Sequence, residues 1–178
     1  MAEVGSGRSA QPVIVGVVPG QPAHVVQQAA VFASRFGTEL VCAYVNPARY
    51  PVEEAADGSV ESASFDPDFA DDHEAVFDAS LADALREHLA TAAVPWRTLA
   101  LAGDVAGALG HLGETLDAAM IVVGAHDHSF GGGLREFFNR SVGAQLAHRQ
   151  PRPVVVIPAS QREASQHGVS PRGPGTDS

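Results

Sequence analysis

Five short apolar runs punctuate the chain and predict five β-strands, at 13–18, 39–45, 96–101, 120–123 and 153–157. The first, fourth and fifth are rich in valine and isoleucine and barely alternate with polar residues. This pattern is typical of strands that are buried on both faces. Each run ends in a turn or a polar segment, so the runs read as separate strands.

Between these runs, apolar residues recur every three or four positions, which predicts four amphipathic helices. Their expected starts are, in order, Pro22, Asp71 or Asp72, the Gly103-Asp104 turn, and Asn139 or Ser141. The first helix is expected to stop at Gly37 and the second near residue 92. Strands that alternate with helices predict an α/β fold, with an open parallel sheet, helices on both faces and right-handed crossovers.

The segment 46–72 has no clear periodicity. Residues 53–74 carry nine acids and no base, a charge density that favours a solvated loop over a core element. These acids lack the spacing of an EF-hand, so a plain acidic loop is favoured over a calcium site. The length of 178 residues suggests one domain. We expect it to span 12–158, between a disordered arm at 1–11 and a disordered tail at 159–178.

Charge and composition exclude several classes of function. The net charge of −10 and the pI of about 5.1 argue against a nucleic-acid or anionic-membrane surface. All 11 basic residues are arginine, which rules out a P-loop lysine or a Schiff-base lysine. The single cysteine, Cys42, excludes a disulfide scaffold. With no apolar signal core and no run of about 18 apolar residues, the expected location is the cytoplasm.

The stretch from 121 to 157 has the order strand, glycine loop, helix, strand. This layout presents backbone N–H groups and a helix N-terminus to an anion. In a parallel sheet, ligands bind at the carboxyl ends of strands where the strand order reverses. The candidate loops are therefore those after Val18, Val45 and Val123.

Four segments together resemble the universal stress protein family over roughly residues 12–158. They are the first strand with Gly20-Gln21-Pro22, the Gly103-Asp104 turn, the strand ending at Gly124, and the final helix and strand from Ser141-Val142 to Pro153–Ile157. The resemblance implies a Rossmann-like fold of the adenine nucleotide alpha hydrolase-like type, with strand order 3-2-1-4-5. It also implies a homodimer formed through the last strand, Val154–Ile157, since an apolar edge strand needs cover.

Members of this family that bind ATP carry Gly, two residues, Gly, nine residues, then Gly followed by Ser or Thr. Gly124, Ser141 and Val142 match this motif, whereas Phe130 and Arg140 stand in place of the second and third glycines. The loop is also three residues longer than the motif. Gly131 and Gly132 could restore a glycine by a shift in register.

Two further positions bear on the nucleotide. The Asp that holds it at the end of the first strand is missing, with Val18 or Pro19 in its place. Val45 matches the residue that lines the adenine pocket. Arg140 has two open interpretations: it fills the phosphate space, or it pairs bidentately with a phosphate together with Arg135.

His126-Asp127-His128 invites a metal interpretation. Two histidines without a third ligand at defined spacing are a weak signal, so we predict no metal. The sequence has no Gly-x-Ser-x-Gly elbow and no cysteine nucleophile with a basic neighbour, and we predict no catalytic residues.

The leading hypothesis is a non-enzymatic, dimeric stress-response protein with weakened or lost ATP binding and no required cofactor. An alternative is an ATP-binding protein, with slow turnover, that uses Arg140 and Arg135 for the phosphates. A third is an interaction module that recruits an unknown protein partner through the acidic 46–72 segment or the tail.

Overall fold

The computed structural model describes residues 11–66, 77–125 and 142–158. The elements are β1 Val13–Gly16, α1 Ala23–Phe36, β2 Leu40–Asn46, β3 Arg49–Glu54, β4 Val60–Ser64, α2 Ala79–His88, β5 Trp96–Ala102, α3 Val105–Thr115, β6 Met120–Gly124, α4 Val142–Arg149 and β7 Val154–Ile157. The predicted tail, and all of the predicted arm but Gln11, lie outside the described residues. Gln11 donates a hydrogen bond to Asp117 at 2.8 Å.

Five parallel strands form the main sheet in the order β5-β2-β1-β6-β7. Counting only the five strands that the sequence predicted, this is the order 3-2-1-4-5. The α/β fold class is therefore confirmed. β1 lies at the centre, with β2 and β5 on one side and β6 and β7 on the other.

Two apolar layers cover the sheet, one on each face. Val13 and Val15 of β1 point into the layer under α1 and α2, whereas Ile14 points into the layer under α3 and α4. All three side chains are fully buried. This alternation on a continuous apolar run is what a strand covered on both faces requires.

The predicted start of the second helix is wrong. α2 begins at Ala79, and its cap is Asp78, whose carboxylate accepts a hydrogen bond from the Leu81 N–H at 2.8 Å. Hydrogen bonds from the Ser80 hydroxyl and the Leu81 N–H lower the pKa of Asp78. Sequence reasoning chose the earlier aspartates because any of several Asp residues can satisfy the cap pattern.

The prediction of a solvated loop over 46–72 is also wrong for most of its length, because β3 and β4 form an antiparallel hairpin there. The acids do not prevent pairing, since those of the ribbon and its turn are exposed to solvent and Glu54 also has hydrogen-bond partners on α3. Asp57-Gly58 makes the turn: the Gly58 N–H donates to the Ala55 carbonyl, and Gly58 has φ +83°. An Asp-Gly pair between β-forming residues is a hairpin signal that charge counting overlooked.

The hairpin packs over α3 and the edge strand β5. A Cβ at Gly58 would lie 2.5 Å from Leu112 Cδ1 and would displace that side chain, and the positive φ of Gly58 also favours glycine. Glu54 of β3 also holds the hairpin against α3. Its carboxylate lies 2.6 Å from His111 Nε2 and 2.8 Å from the Thr115 hydroxyl. The hairpin thus covers apolar surface that α3 alone leaves open at the β5 side.

Cys42 lies in β2, which corresponds to the predicted apolar strand at 39–45. Cys42 is a free cysteine in β2 with no exposed surface, and burial raises the pKa of its thiol to about 12. Among the described helices, none has the length and apolar character needed to cross a bilayer.

Candidate functional site

The carboxyl ends of β1 and β6 form the point where the strand order reverses. β1 pairs with β2 on one side and β6 on the other. The chain leaves β1 through α1 towards β2, while it reaches β6 from the opposite edge through α3. Ligands of open α/β sheets bind in the crevice at such a reversal. We call the space between these two strand ends the switch crevice.

The crevice opens because pairing stops earlier on one side of β1 than on the other. The β1–β6 register ends at Val15↔Val122. The β1–β2 register continues to Gly16↔Ala43, and the Val17 N–H donates to the Ala43 carbonyl at 2.9 Å.

β6 continues beyond Val122, because it remains paired with β7 as far as Gly124↔Ile157. The last residues of β1 and β6 are therefore not paired with each other.

A tight turn follows β1 and directs the chain into α1. The Gln21 N–H donates to the Val18 carbonyl at 3.2 Å. Pro19 and Gly20 hold the two central positions, and Gly20 has φ +73°. Proline followed by a glycine with positive φ is the pattern of a type II turn. The turn brings Gln21 back over the end of β1.

The Gln21 side chain fills the switch crevice. Its Nε2 donates to the Gly16 carbonyl and its Oε1 accepts from the Val18 N–H, both at 3.3 Å. On the β6 side, a Cβ placed on Gly124 would lie 3.0 Å from Gln21 Nε2 and 3.3 Å from Val25 Cγ2. One carboxamide therefore bridges the two strand ends. Sequence reasoning treated Gln21 only as the middle of a Gly-x-Pro turn.

Three of the sequence-predicted site residues lie in the described segments. Gly124 ends β6 and contacts Gln21. Val45 is only 2% exposed and packs into the apolar layer under α3 and α4, which Val142 also joins at the start of α4. The structure thus brings Gly124 to the crevice and places Val45 in the apolar layer under α3 and α4, with the partly buried Val142 packed against it.

The remaining predicted site residues lie outside the described residues. These are Gly131, Gly132, Arg140 and Ser141, together with Phe130, Arg135 and the His126-Asp127-His128 segment. Within 11–66, 77–125 and 142–158, no group of three or more His, Cys, Asp or Glu side chains is arranged to hold a metal ion.

An aromatic pair lies near the end of β2, the strand next to β1 in the sheet. The Tyr44 ring meets Phe77 edge to face with centroids 6.1 Å apart. Burial, and then the negative charge of Asp78, raise the pKa of Tyr44, which keeps the phenol neutral. Both rings pack against the apolar layer under α1 and α2.

The universal stress protein family model matches residues 10–158 of the chain. The chain belongs to the universal stress protein family. A search of curated proteins finds no match. Membership confirms the resemblance that the strand, turn and glycine segments indicated.

Solved structures share this fold. A universal stress protein in complex with cAMP is 20% identical, covers 86% of this chain and 100% of its own, and has a TM-score of 0.55. Universal stress protein UspA from Lactobacillus plantarum is 21% identical, with coverage of 85% and 99% and a TM-score of 0.54. A family member from Burkholderia pseudomallei is 21% identical, with coverage of 86% and 99% and a TM-score of 0.53. At this identity these likenesses show the Rossmann-like fold.

Proposed function

We propose that this universal stress protein is a non-catalytic, dimeric stress-response protein of the cytoplasm whose ATP binding is weakened or lost. The carboxyl end of β1 carries the proposal. It presents Val18 and Pro19 where nucleotide-binding members of the family place an aspartate. Two backbone groups there, the Gly16 carbonyl and the Val18 N–H, already hydrogen-bond to the Gln21 side chain. A nucleotide would meet an occupied crevice without the carboxylate that holds it.

The composition of the crevice supports a non-catalytic role. The described groups that face it are backbone of Gly16, Val18 and Gly124 and the amide of Gln21. Amides are poor nucleophiles and do not titrate near neutral pH, so these groups suit binding and packing rather than chemistry.

The position of β7 at the edge of the sheet supports the dimer. In the described part of the chain β7 pairs only with β6, and Val156 is 50% exposed. An exposed apolar edge strand is a template for pairing with a second copy. The strand is anchored for this role, since the Pro158 carbonyl lies 2.6 Å from His24 Nε2.

Size-exclusion chromatography with light scattering tests the dimer. We expect a dimer for the wild type and a monomer for Val156→Glu, because a carboxylate at the edge opposes pairing. Val31→Glu, at an exposed position on α1, is the matched control and should remain dimeric. A wild-type monomer would contradict the proposed assembly.

Thermal unfolding with ATP and Mg²⁺ tests the loss of nucleotide binding. A ligand at 1,000 times its Kd stabilises the native state by about 4.1 kcal/mol, which raises the Tm of a domain this size by roughly 8–16 °C. We expect millimolar ATP to shift the Tm by far less. A Tm shift in that range would mean micromolar affinity for ATP and would contradict the proposal.

A second candidate is an adenine-nucleotide-binding protein that holds the phosphates with Arg140 and Arg135. The family relative solved in complex with cAMP favours it. This candidate requires that Arg140→Ala abolish nucleotide affinity. Unchanged affinity in that variant would remove it.

A further inference from the structure

We propose that the outward side of the β3–β4 hairpin is a docking surface for an arginine-bearing segment of a protein partner. The side chains that form it are those of Tyr50, Glu53, Glu61 and Phe65, and we call this surface the hairpin face. It shares no residue with the switch crevice or with β7, so the inference goes beyond the proposed function. It assigns a surface and a ligand chemistry to the hypothesis that the acidic segment recruits a partner.

The register of the hairpin places these four side chains on one face. Alternate residues of a strand point the same way, so Glu61, Ala63 and Phe65 share a face along β4. Tyr50 stands opposite Ala63, and Glu53 stands opposite Glu61. Residues directly opposite each other on paired strands point to the same side of the ribbon.

The other face of the hairpin packs on the protein. Ser62 has no exposed surface, and Val60 packs against the apolar layer under α3 and α4. Glu54, which stands opposite Val60, is the residue that hydrogen-bonds to α3. The hairpin face is therefore the side that is turned to solvent.

The two rings of the hairpin face form an exposed aromatic pair. The Tyr50 and Phe65 centroids lie 5.1 Å apart, with the ring planes tilted by 49°. Tyr50 is 42% exposed and Phe65 is 65% exposed. With Val52, which lies at the register shift of β3, they are three of the six large apolar side chains that are exposed in the described part of the chain. Exposed apolar side chains that cluster within a polar rim are typical of an interaction site.

The two carboxylates of the hairpin face stand directly opposite each other without a counter-ion. Like charges in this position destabilise paired strands. Glu53 and Glu61 are exposed, and neither carboxylate has a hydrogen-bond or ion-pair partner among the described residues. Arg49 is the only base between residues 46 and 66, and it donates to the Ser62 hydroxyl at 2.8 Å and to the Ser62 carbonyl at 2.5 Å. A bound cation would relieve a repulsion that the fold leaves in place.

An arginine side chain fits this arrangement better than a metal ion does. Opposite Cβ atoms of paired strands lie about 4.5–5.5 Å apart, so a guanidinium fork can donate to both carboxylates at once. The Tyr50 ring starts about 7 Å further along the ribbon, where a flat guanidinium and its aliphatic stem can stack on it. A calcium ion takes about six to eight oxygen ligands, and Glu53 and Glu61 supply four oxygens between them.

A second copy of the chain fits the hairpin face poorly. It would bring the same two carboxylates, on a chain whose net charge is −10. The hairpin also lies along β5, at the edge of the sheet opposite β7. The proposed dimer would therefore leave the hairpin face open to a partner of opposite charge.

The test is a calorimetric titration of the full chain with a peptide in which arginine alternates with glycine. The comparison probes are the same peptide with lysine in place of arginine, and free arginine amide. In about 0.15 M salt, charges more than about 8 Å apart are largely screened, which limits general attraction to an acidic protein. We expect the arginine peptide to bind at least about fivefold more tightly than the lysine peptide, as one exposed contact between a guanidinium and a ring predicts. Arginine amide should bind more weakly than the peptide, because it cannot reach Phe65 at the same time.

A pair of double variants separates the hairpin face from net charge. Glu53→Gln with Glu61→Gln should weaken binding of the arginine peptide at least about tenfold, as the loss of a charge-assisted hydrogen bond predicts. Glu87→Gln with Glu114→Gln is the matched control. It removes the same charge from exposed positions on α2 and α3 and should stay within about twofold of the wild type.

Two substitutions of Tyr50 test the ring. Tyr50→Ala should weaken binding by about two- to fivefold, whereas Tyr50→Phe keeps the ring and should bind as the wild type does. Thermal unfolding guards against loss of folding. The Tm of the Glu53→Gln/Glu61→Gln variant should equal or exceed that of the wild type, because the substitutions remove a repulsion.

Each outcome decides the proposal. Arginine-peptide binding that weakens in Glu53→Gln/Glu61→Gln and in Tyr50→Ala, but not in Glu87→Gln/Glu114→Gln, supports it. Undetectable binding overturns it, as do equal affinity for the lysine peptide, equal weakening in the control pair and unchanged affinity in Tyr50→Ala. Binding of Ca²⁺ alone that is lost in Glu53→Gln/Glu61→Gln, or a change in oligomeric state in that variant, would assign the face to a metal ion or to a second copy and would also overturn it. These results do not depend on whether the chain binds a nucleotide.

Discussion

The two sides of β1 differ in how far their pairing extends. Towards β2 the register continues to the end of the strand, and Cys42 and Ala43 pack without a gap. Towards β6 it stops at Val15↔Val122, and a side chain from the next turn fills the opening. A crevice at the reversal of a parallel sheet therefore does not imply a vacant site. The backbone groups it exposes need partners, and the chain itself can supply them.

The largest expected loss of stability comes from a substitution in the apolar core, away from the crevice. Ile14 of β1 has no exposed surface and packs under α3. Ile14→Ala should lower the free energy of unfolding by about 2–5 kcal/mol, because it leaves a cavity in a packed layer. Urea unfolding measures this, with Ile14→Val as the graded control at about 0.5–1.5 kcal/mol. A loss below that of Ile14→Val would contradict the packing described here.

The next effect tests the contact between Gln21 and Gly124. Gly124→Ala should destabilise the wild type by about 1–3 kcal/mol, because the new Cβ meets Gln21 and Val25. In a Gln21→Ala background the cost should be smaller by at least about 0.5 kcal/mol, since one of the two obstacles is gone. Additive losses in this double-mutant cycle would mean that the two residues do not share the crevice.

A pH series probes the closed side of β1. The Cys42 thiol has a pKa of about 12 in the folded chain against 9.0 as its ordinary value. Between these values the folded state holds a proton that the unfolded state has lost, so stability falls as pH rises. The loss should reach about 1.4 kcal/mol at pH 10, relative to neutral pH. Cys42→Ala should lack this slope, and parallel curves for the two proteins would count against the burial.

The smallest effect is expected outside the crevice. Gln27 also lies on α1, and its side chain donates to the His88 carbonyl at 3.4 Å on an exposed surface. Gln27→Ala should change the free energy of unfolding by no more than about 0.5 kcal/mol. A loss as large as that of Gln21→Ala would show that position in the crevice does not matter.

Sequence patterns predicted the sheet well because its strands are local apolar runs. Val13, Ile14 and Val15 have no polar neighbours to obscure them, and glycine or proline ends each segment. The hairpin was missed because its acids outweighed the Asp57-Gly58 turn signal. The start of α2 was wrong because Asp78 competes with equivalent aspartates for the cap position.

The crevice was less accessible to sequence reasoning, for a physical reason. Gln21 and Gly124 are distant along the chain, and their contact exists only once β1 and β6 lie side by side. A glycine motif indicates where backbone could approach a phosphate, but it carries no information about a side chain that arrives from another loop. The roles of Gly131, Gly132, Arg140 and Ser141 stay predictions.

The most direct test of a crevice filled by the chain itself is an NMR measurement on the ligand-free protein. The side-chain amide protons of Gln21 should show strong nuclear Overhauser contacts to the α-protons of Gly124, because Gln21 Nε2 lies 3.0 Å from the Cβ position of that glycine. These amide protons should also exchange slowly with water. Absence of the contacts, with the shifts and exchange rate of a solvated glutamine, would contradict the account.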